Sequence, residues 1–280
     1  MKSMQQALGS ILLALALAAM PAAAQQGDKD YAPTVGQAGK DVIWVPTPPE
    51  LVEKMLRMAR ITSNDFLIDL GSGDGRIAIA AAKKFGAGSM GIEYNPDMVA
   101  LSNREARRQG VADKVRFIKA DIFESDFSRA TIISMYLLPD LNLKLRPRIL
   151  DLKPGTRVVS HQFNMDEWRP DETAEIDNRL AHLWIVPAKV EGTWALRTEG
   201  SAQNRELSLR QMFQFLAGRL KNGTAAVELA EARLRGDQIS FTVIEGNVRR
   251  DFSGRVQGNT MEGSVSSTGA PDQKWSASRS

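Results

Sequence analysis

The sequence predicts an α/β fold of Rossmann-like type with a mainly parallel sheet, followed by a small antiparallel β barrel or sandwich. Three observations predict it. In the middle of the chain short apolar runs alternate with helical patterns, and the first pair is joined by Gly71-Ser72-Gly73-Asp74-Gly75. From about residue 189 apolar residues fall at alternate positions, punctuated by closely spaced turn pairs. The length of 280 residues, 43% apolar and 25% charged, suits two globular cores and argues against disorder or a fibrous repeat.

The N-terminus lies outside this fold. Met1 and Lys2 give a positive start, residues 11–20 are an unbroken apolar run, and Ala22-Ala23-Ala24 precedes Gln25 as a small-residue cleavage site. Residues 1–24 therefore read as a secretory signal, and the mature chain is expected in the periplasm or outside the cell; an unused signal would leave it cytoplasmic. Gly9, Ser10 and Pro21 interrupt a stretch already short for a bilayer, which needs about 20 apolar residues, so no stable membrane span is expected in the mature chain. Residues 25–41, rich in Gly, Ala and polar side chains, read as a flexible lead-in.

Residues 42–188 form the first domain. Thr47-Pro48-Pro49-Glu50 has capping-box spacing, and Leu51, Met55 and Met58 recur on one helical face. Residues 66–70 are a buried-strand run, followed by the glycine loop and a helix over residues 76–85 that Gly86 stops. Residues 89–93 make a second strand. Asn95-Pro96 caps a helix running to Gln109, and residues 115–118 make a third strand. Residues 131–135 and 157–160 add strands four and five around a leucine-rich helix, with residues 173–176 and 182–186 as a closing hairpin. Repeated strand-helix units imply right-handed crossovers and a ligand crevice at the carboxyl ends of the strands.

Residues 189–280 form the second domain. Leu207, Leu209, Phe213 and Phe215 show strand periodicity, as do Ile239, Phe241 and Val243, then Phe252, Gly254 and Val256. Asn222-Gly223, Gly236-Asp237, Gly246-Asn247 and Gly258-Asn259 mark the turns of a meander. Gly192-Thr193-Trp194 resembles the Gly-x-Trp opening of lipocalin-like barrels.

Composition removes several function classes. With no cysteine there is no disulfide, thiolate nucleophile, Cys-ligated zinc or lipidation cysteine, and His161 and His182 alone argue against a histidine-rich metal site. Thirty-six basic against 33 acidic residues give +3, spread without a block that would track a phosphate backbone, so nucleic acid is not the expected partner.

The glycine loop carries the chemistry, because glycines let backbone N–H groups approach a ligand at a helix N-terminus. A dinucleotide fingerprint fails where Arg76 replaces the third glycine, and no Walker lysine follows. Asp69-x-Gly71-x-Gly73-x-Gly75 instead resembles motif I of the class I S-adenosylmethionine-dependent methyltransferases, and the resemblance extends to Glu93 and Asp121 at the ends of the next two strands. It implies S-adenosylmethionine as cofactor. Glu93 would accept both ribose hydroxyls, Asp121 would take the adenine amino group with Ile122 also in the cofactor site, Asp69 would hold the methionine part, and Gly71 and Gly73 would allow close approach.

A narrower resemblance spans residues 42–187. Trp44-Val45-Pro46-Thr47-Pro48, the loop through Arg76, Tyr136-Leu137-Leu138-Pro139 and Asn142-Leu143-Lys144-Leu145 are similar to the small protein-lysine methyltransferases related to the enzyme that modifies the c ring protein of mitochondrial ATP synthase. The implied partner is a protein presenting a lysine. That amine must arrive neutral, which costs about 4 to 5 kcal/mol at pH 7 unless the pocket lowers its pKa. Tyr136 would orient the amine, Asp140 or His161 would guide the departing proton, and Trp44 would shield the cleft. Two other readings compete: an exported binding protein for adenosine-like ligands without turnover, and a barrel that does the work on an envelope polymer or apolar ligand while the first domain serves as scaffold.

Overall fold

A computed structural model describes residues 31–279, so the expected signal segment lies outside the described residues. The first sheet has seven strands: β1 (Phe66–Leu70), β2 (Gly88–Glu93), β3 (Val115–Lys119), β4 (Ile132–Met135), β5 (Arg157–His161), β6 (Glu172–Ile176) and β7 (Arg179–Ile185). Their spatial order is β3-β2-β1-β4-β5-β7-β6, parallel through β5 and antiparallel where the β6–β7 hairpin closes the edge. Order reverses between β1 and β4, so the carboxyl ends of these two strands flank the crevice. The hairpin turns through Asp177 and Asn178, both with positive φ, the geometry that suits strand twist.

Among the described residues four helices cover the sheet: α1 (Pro49–Met58), α2 (Arg76–Phe85), α3 (Pro96–Arg108) and α4 (Pro139–Leu150). Asn95 caps α3, its Oδ1 accepting from the Asp97 N–H at 2.9 Å, and Gly86 ends α2 in the left-handed conformation. The expected capping box at Thr47 is not formed. Pro48 precedes α1 without a side-chain cap, and the Thr47 hydroxyl turns inward to His161 instead. The reason is burial: a hydroxyl in the core needs a partner more than does a helix start whose prolines carry no N–H.

The second sheet comprises β8 (Gly192–Thr198), β9 (Arg205–Met212), β10 (Phe215–Asn222), β11 (Ala225–Glu228), β12 (Ala230–Arg235), β13 (Gln238–Glu245), β14 (Val248–Gln257), β15 (Thr260–Ser267) and β16 (Ala270–Ser278). It closes through β8–β9 and β9–β10 pairing into an eight-stranded antiparallel barrel, with β11 a short addition on β10. The barrel is therefore the correct member of the barrel-or-sandwich pair. Its interior is filled by Trp194, Phe241, Phe252 and Trp275 among aliphatic side chains. Gly254 and Gly263 pair across β14 and β15, and the Trp275 indole lies against Gly254, donating to the Ser253 carbonyl at 2.9 Å.

One residue assigned to a strand sits elsewhere. Phe213 occupies the tight β9–β10 turn with φ 55°, and its ring stacks on Trp168 at 6.0 Å, between the barrel and the first sheet. Packing against Trp168 outweighs the alternation that placed it in a strand. The Ala188 N–H to Gly236 carbonyl bond and the Gln214 to Arg169 carbonyl bond reinforce that contact.

Candidate active site

The cleft at the β1/β4 reversal encloses about 310 Å³, and its walls include the glycine loop, the carboxyl ends of β2 and β4, and residues 37–47 crossing over the top. The loop turns because Gly71, Gly73 and Gly75 all hold positive φ. At Gly73 a side chain would also strike the Trp44 indole at 2.7 Å, and at Gly75 it would strike the Phe117 ring at 2.5 Å. Trp44 thus seals the loop from above, and Phe117 fixes it from below.

Glu93, the last residue of β2, is tied in by both oxygens: Oε2 accepts from the Gly73 N–H and Oε1 from the Asn95 N–H, each at 2.9 Å. Each oxygen keeps a second acceptor site for a ligand hydroxyl. Asp69 is buried on β1 and accepts from the Ser134 hydroxyl at 2.7 Å. Burial pushes its carboxyl up to about 7, opposed by the Ser134 bond and aided by the charges of Asp74 and Glu93. A cationic ligand group beside it would draw out its charge. Asp121 lines the cleft past β3, with Ile122 beside it. Its carboxyl is ion-paired with Lys40 and accepts from the Phe123 N–H at 2.8 Å; the Lys40 contact first, then the Phe123 bond, holds it below the usual carboxylate range.

Lys40 comes from the overlying residues 37–47, pinched by the Ala38–Ile43 bridge, and its ammonium also lies 5.0 Å from the Tyr94 ring centroid. Arg76 binds that segment to the glycine loop, donating to Asp74 Oδ1 at 2.9 Å and to the Thr47 carbonyl at 3.0 Å. The motif reading of the sequence missed Lys40, Arg76 and the true role of Thr47. Only the Val-Pro-Thr-Pro context points to Thr47, and there the helix-cap pattern competes with it.

The cleft wall also includes Tyr136, Leu137, Leu138, Leu141 and Phe163, with Leu137 against Gly71. His161 is buried behind Tyr136, ring centroids 3.8 Å apart, with Nδ1 3.0 Å from the Thr47 hydroxyl. It does not line the cleft. Burial, then the nearby Arg179 charge, lowers its imidazole to about 4, so it is neutral at pH 7, while burial raises the Tyr136 phenol. Asp140 is not brought to the site. It is exposed on the first turn of α4, makes no side-chain cap, and is absent from the cleft wall, to which its neighbours Leu138 and Leu141 contribute.

The residues present fit a nucleoside with a cationic tail: acceptor oxygens at Glu93 and Asp121, the buried Ser72 hydroxyl without a partner among the described residues, and a chargeable carboxyl at Asp69. This loop, these acidic strand ends and this sheet order define a class I S-adenosylmethionine-dependent methyltransferase, an enzyme with S-adenosylmethionine as methyl donor. The family model for the ANTKMT methyltransferase domain matches residues 69–172. A protein-lysine N-methyltransferase of Saccharolobus islandicus is 38% identical over 151 residues, covering 52% of this chain and 94% of that protein. The adenine nucleotide translocase lysine N-methyltransferase of Mus musculus is 32% identical over 136 residues, 48% of this chain and 54% of that one. This chain thus spans about half the length of the mouse relative. A crystal structure described as an RNA methyltransferase from Salinibacter ruber, with S-adenosyl-L-homocysteine bound, shares 47% identity over 52% of this chain and 96% of that one, with a TM-score of 0.51. The chain belongs to the protein-lysine N-methyltransferase family.

Proposed function

We propose that this enzyme methylates the ε-amine of a lysine in a protein substrate. The observation that carries the reading is the apolar part of the cleft wall, where the Tyr136 and Phe163 rings stack and Leu138 and Leu141 line the same cleft as the glycine loop. A lysine stem is apolar along its methylenes and polar at its tip, which matches such a wall. The relatives named for protein lysine support the same choice.

The residues then divide the work. S-adenosylmethionine, when bound, supplies a methyl group already activated on a sulfonium. Glu93 would hold the ribose hydroxyls, Asp121 and Ile122 the adenine, and Asp69 the methionine end, with Gly71 and Gly73 keeping the backbone close. Lys40 must share or yield Asp121 when an adenine amino group arrives. On the acceptor side, desolvation around Tyr136 and His161 and the Arg179 charge felt by both disfavour an ammonium and so help the amine arrive neutral. The Tyr136 oxygen would accept from the amine N–H. His161 acts by holding the Tyr136 ring, as a positioning residue anchored by Thr47.

The test is incubation of the full chain with methyl-labelled S-adenosylmethionine, a protein extract and an RNA extract, with label located by mass spectrometry. Methyl-lysine in protein supports the reading; label confined to RNA, as the Salinibacter protein's description would suggest, refutes it. We further propose export to the periplasm, supported by the three-part pattern of residues 1–24. An intact chain recovered from the cytoplasmic fraction would contradict that.

A further inference from the structure

We propose that Phe163 and Tyr136 together form an aromatic wall that binds the stem of the acceptor amine, and that Phe163 is a specificity-determining residue; this rests on the amine-acceptor reading above. The two rings are half-buried, line the same cleft, and lie 26° from parallel with centroids 6.2 Å apart, so they present one continuous apolar surface. Tyr136 is backed by His161. Phe163 is fixed differently, through its backbone.

Gln162, just before it, is a non-glycine residue with φ 67°, a conformation L side chains rarely adopt. Its N–H donates to the Leu180 carbonyl at 2.7 Å, and its own carbonyl lies 3.2 Å from His182 Nε2. The Phe163 carbonyl accepts from the Ser160 hydroxyl at 2.7 Å and from Asn142 Nδ2 at 3.2 Å, and Asn142 is fully buried to reach it. The Phe163 N–H donates to the His161 carbonyl at 2.8 Å. Yet among the described residues the ring so firmly aimed belongs to none of the three buried apolar clusters. Strain held by buried polar groups around a ring that packs into no core is the signature of a residue placed for a ligand. An alkyl stem terminating in an amine is the ligand class that an apolar wall ending at the Tyr136 phenol would take.

The full chain saturated with S-adenosylhomocysteine and carrying ring-labelled phenylalanine and tyrosine would be titrated with n-pentylamine by NMR. The Phe163 signals, identified by their loss in Phe163→Leu, should show saturable shifts, and amine binding should be at least fivefold weaker in that variant. Phe163→Tyr should bind within twofold of wild type, and both variants should bind S-adenosylhomocysteine within twofold, which establishes that the fold is intact. With Nα-acetyl-lysine methylamide as acceptor, Phe163→Leu should raise KM about tenfold with kcat within twofold. Unmoved Phe163 signals, or unchanged amine affinity in Phe163→Leu, would overturn the proposal. Amine binding at the wall without methyl transfer to any protein lysine would leave the wall standing and remove the acceptor reading; lysine methylation undiminished in Phe163→Leu would do the reverse.

Discussion

Asp69 and His161 are buried titratable groups that load the fold in opposite directions with pH. The Asp69 carboxyl keeps its proton to about pH 7, whereas an unfolded chain releases it near 4. Between these values the native chain binds the extra proton, so its contribution to stability is full below about pH 4 and falls as pH rises to 7. His161, lowered to about 4 from an ordinary 6.5, has its contribution fully present above 6.5 and loses it as pH falls toward 4. Asp69→Asn should therefore gain stability over wild type as pH rises, by about 4 kcal/mol at pH 8, while binding S-adenosylhomocysteine about tenfold more weakly. Urea unfolding at pH 4, 6 and 8 checks the first part; equal differences at all three pH values would contradict it. Thr47→Val leaves the His161 nitrogen without its hydroxyl and should cost about 1 to 3 kcal/mol, with Thr47→Ser restoring most of it in the same assay. The place of the glycine loop and of the acidic strand ends in the cleft wall was legible as sequence because each sits at a strand end in a fixed local motif. His161 and Phe163 were harder: their roles depend on neighbours such as Thr47, 114 positions from His161, that no local spacing encodes.

Among the elements, the segment over residues 37–47 and the glycine loop depend on each other. Trp44 presses on Gly73, Arg76 holds the Thr47 carbonyl, and Lys40 holds Asp121. Gly73→Ala should abolish S-adenosylhomocysteine binding, since the new Cβ meets the indole and the positive φ is lost to strain. Trp44→Ala should leave the fold within about 1 kcal/mol and weaken binding roughly tenfold by unroofing the loop, a pairing that calorimetry and thermal unfolding measure together. Binding unchanged in Trp44→Ala would mean the indole only packs. The elements of the first sheet were read from sequence to within a residue or a few at their ends, because strand runs, Asn95-Pro96 and Gly86 act locally. The start of α1 was misread because a capping-box pattern does not say whether its threonine faces the helix or the core.

The whole molecule joins the methyltransferase sheet to a closed barrel through a small set of contacts, with Phe213 stacked on Trp168 and near the Arg146 guanidinium. Phe213→Ala should destabilise the chain by about 1 to 3 kcal/mol, or split its unfolding into two transitions, without changing cofactor affinity. A change in affinity would mean that the barrel reaches the cleft energetically. Alternation and turn pairs foretold an antiparallel β domain but not its closure, since β8, β9 and β10 pair in a register that alternation leaves open. The family match ends at residue 172, so the barrel's contribution rests on its own contacts.

Glu93 is the residue on which cofactor binding should depend most, and calorimetric titration of the full chain with S-adenosylhomocysteine, beside Glu93→Ala, measures that dependence. Glu93 holds the Gly73 and Asn95 N–H groups and offers its remaining acceptor sites to ligand hydroxyls. Its loss should cost about 2 to 4 kcal/mol, or roughly 30- to 1,000-fold in affinity. Micromolar binding by wild type should fall by this factor in a folded variant; equal binding by both, or none by the folded wild type, would mean that Glu93 does not organise a cofactor site.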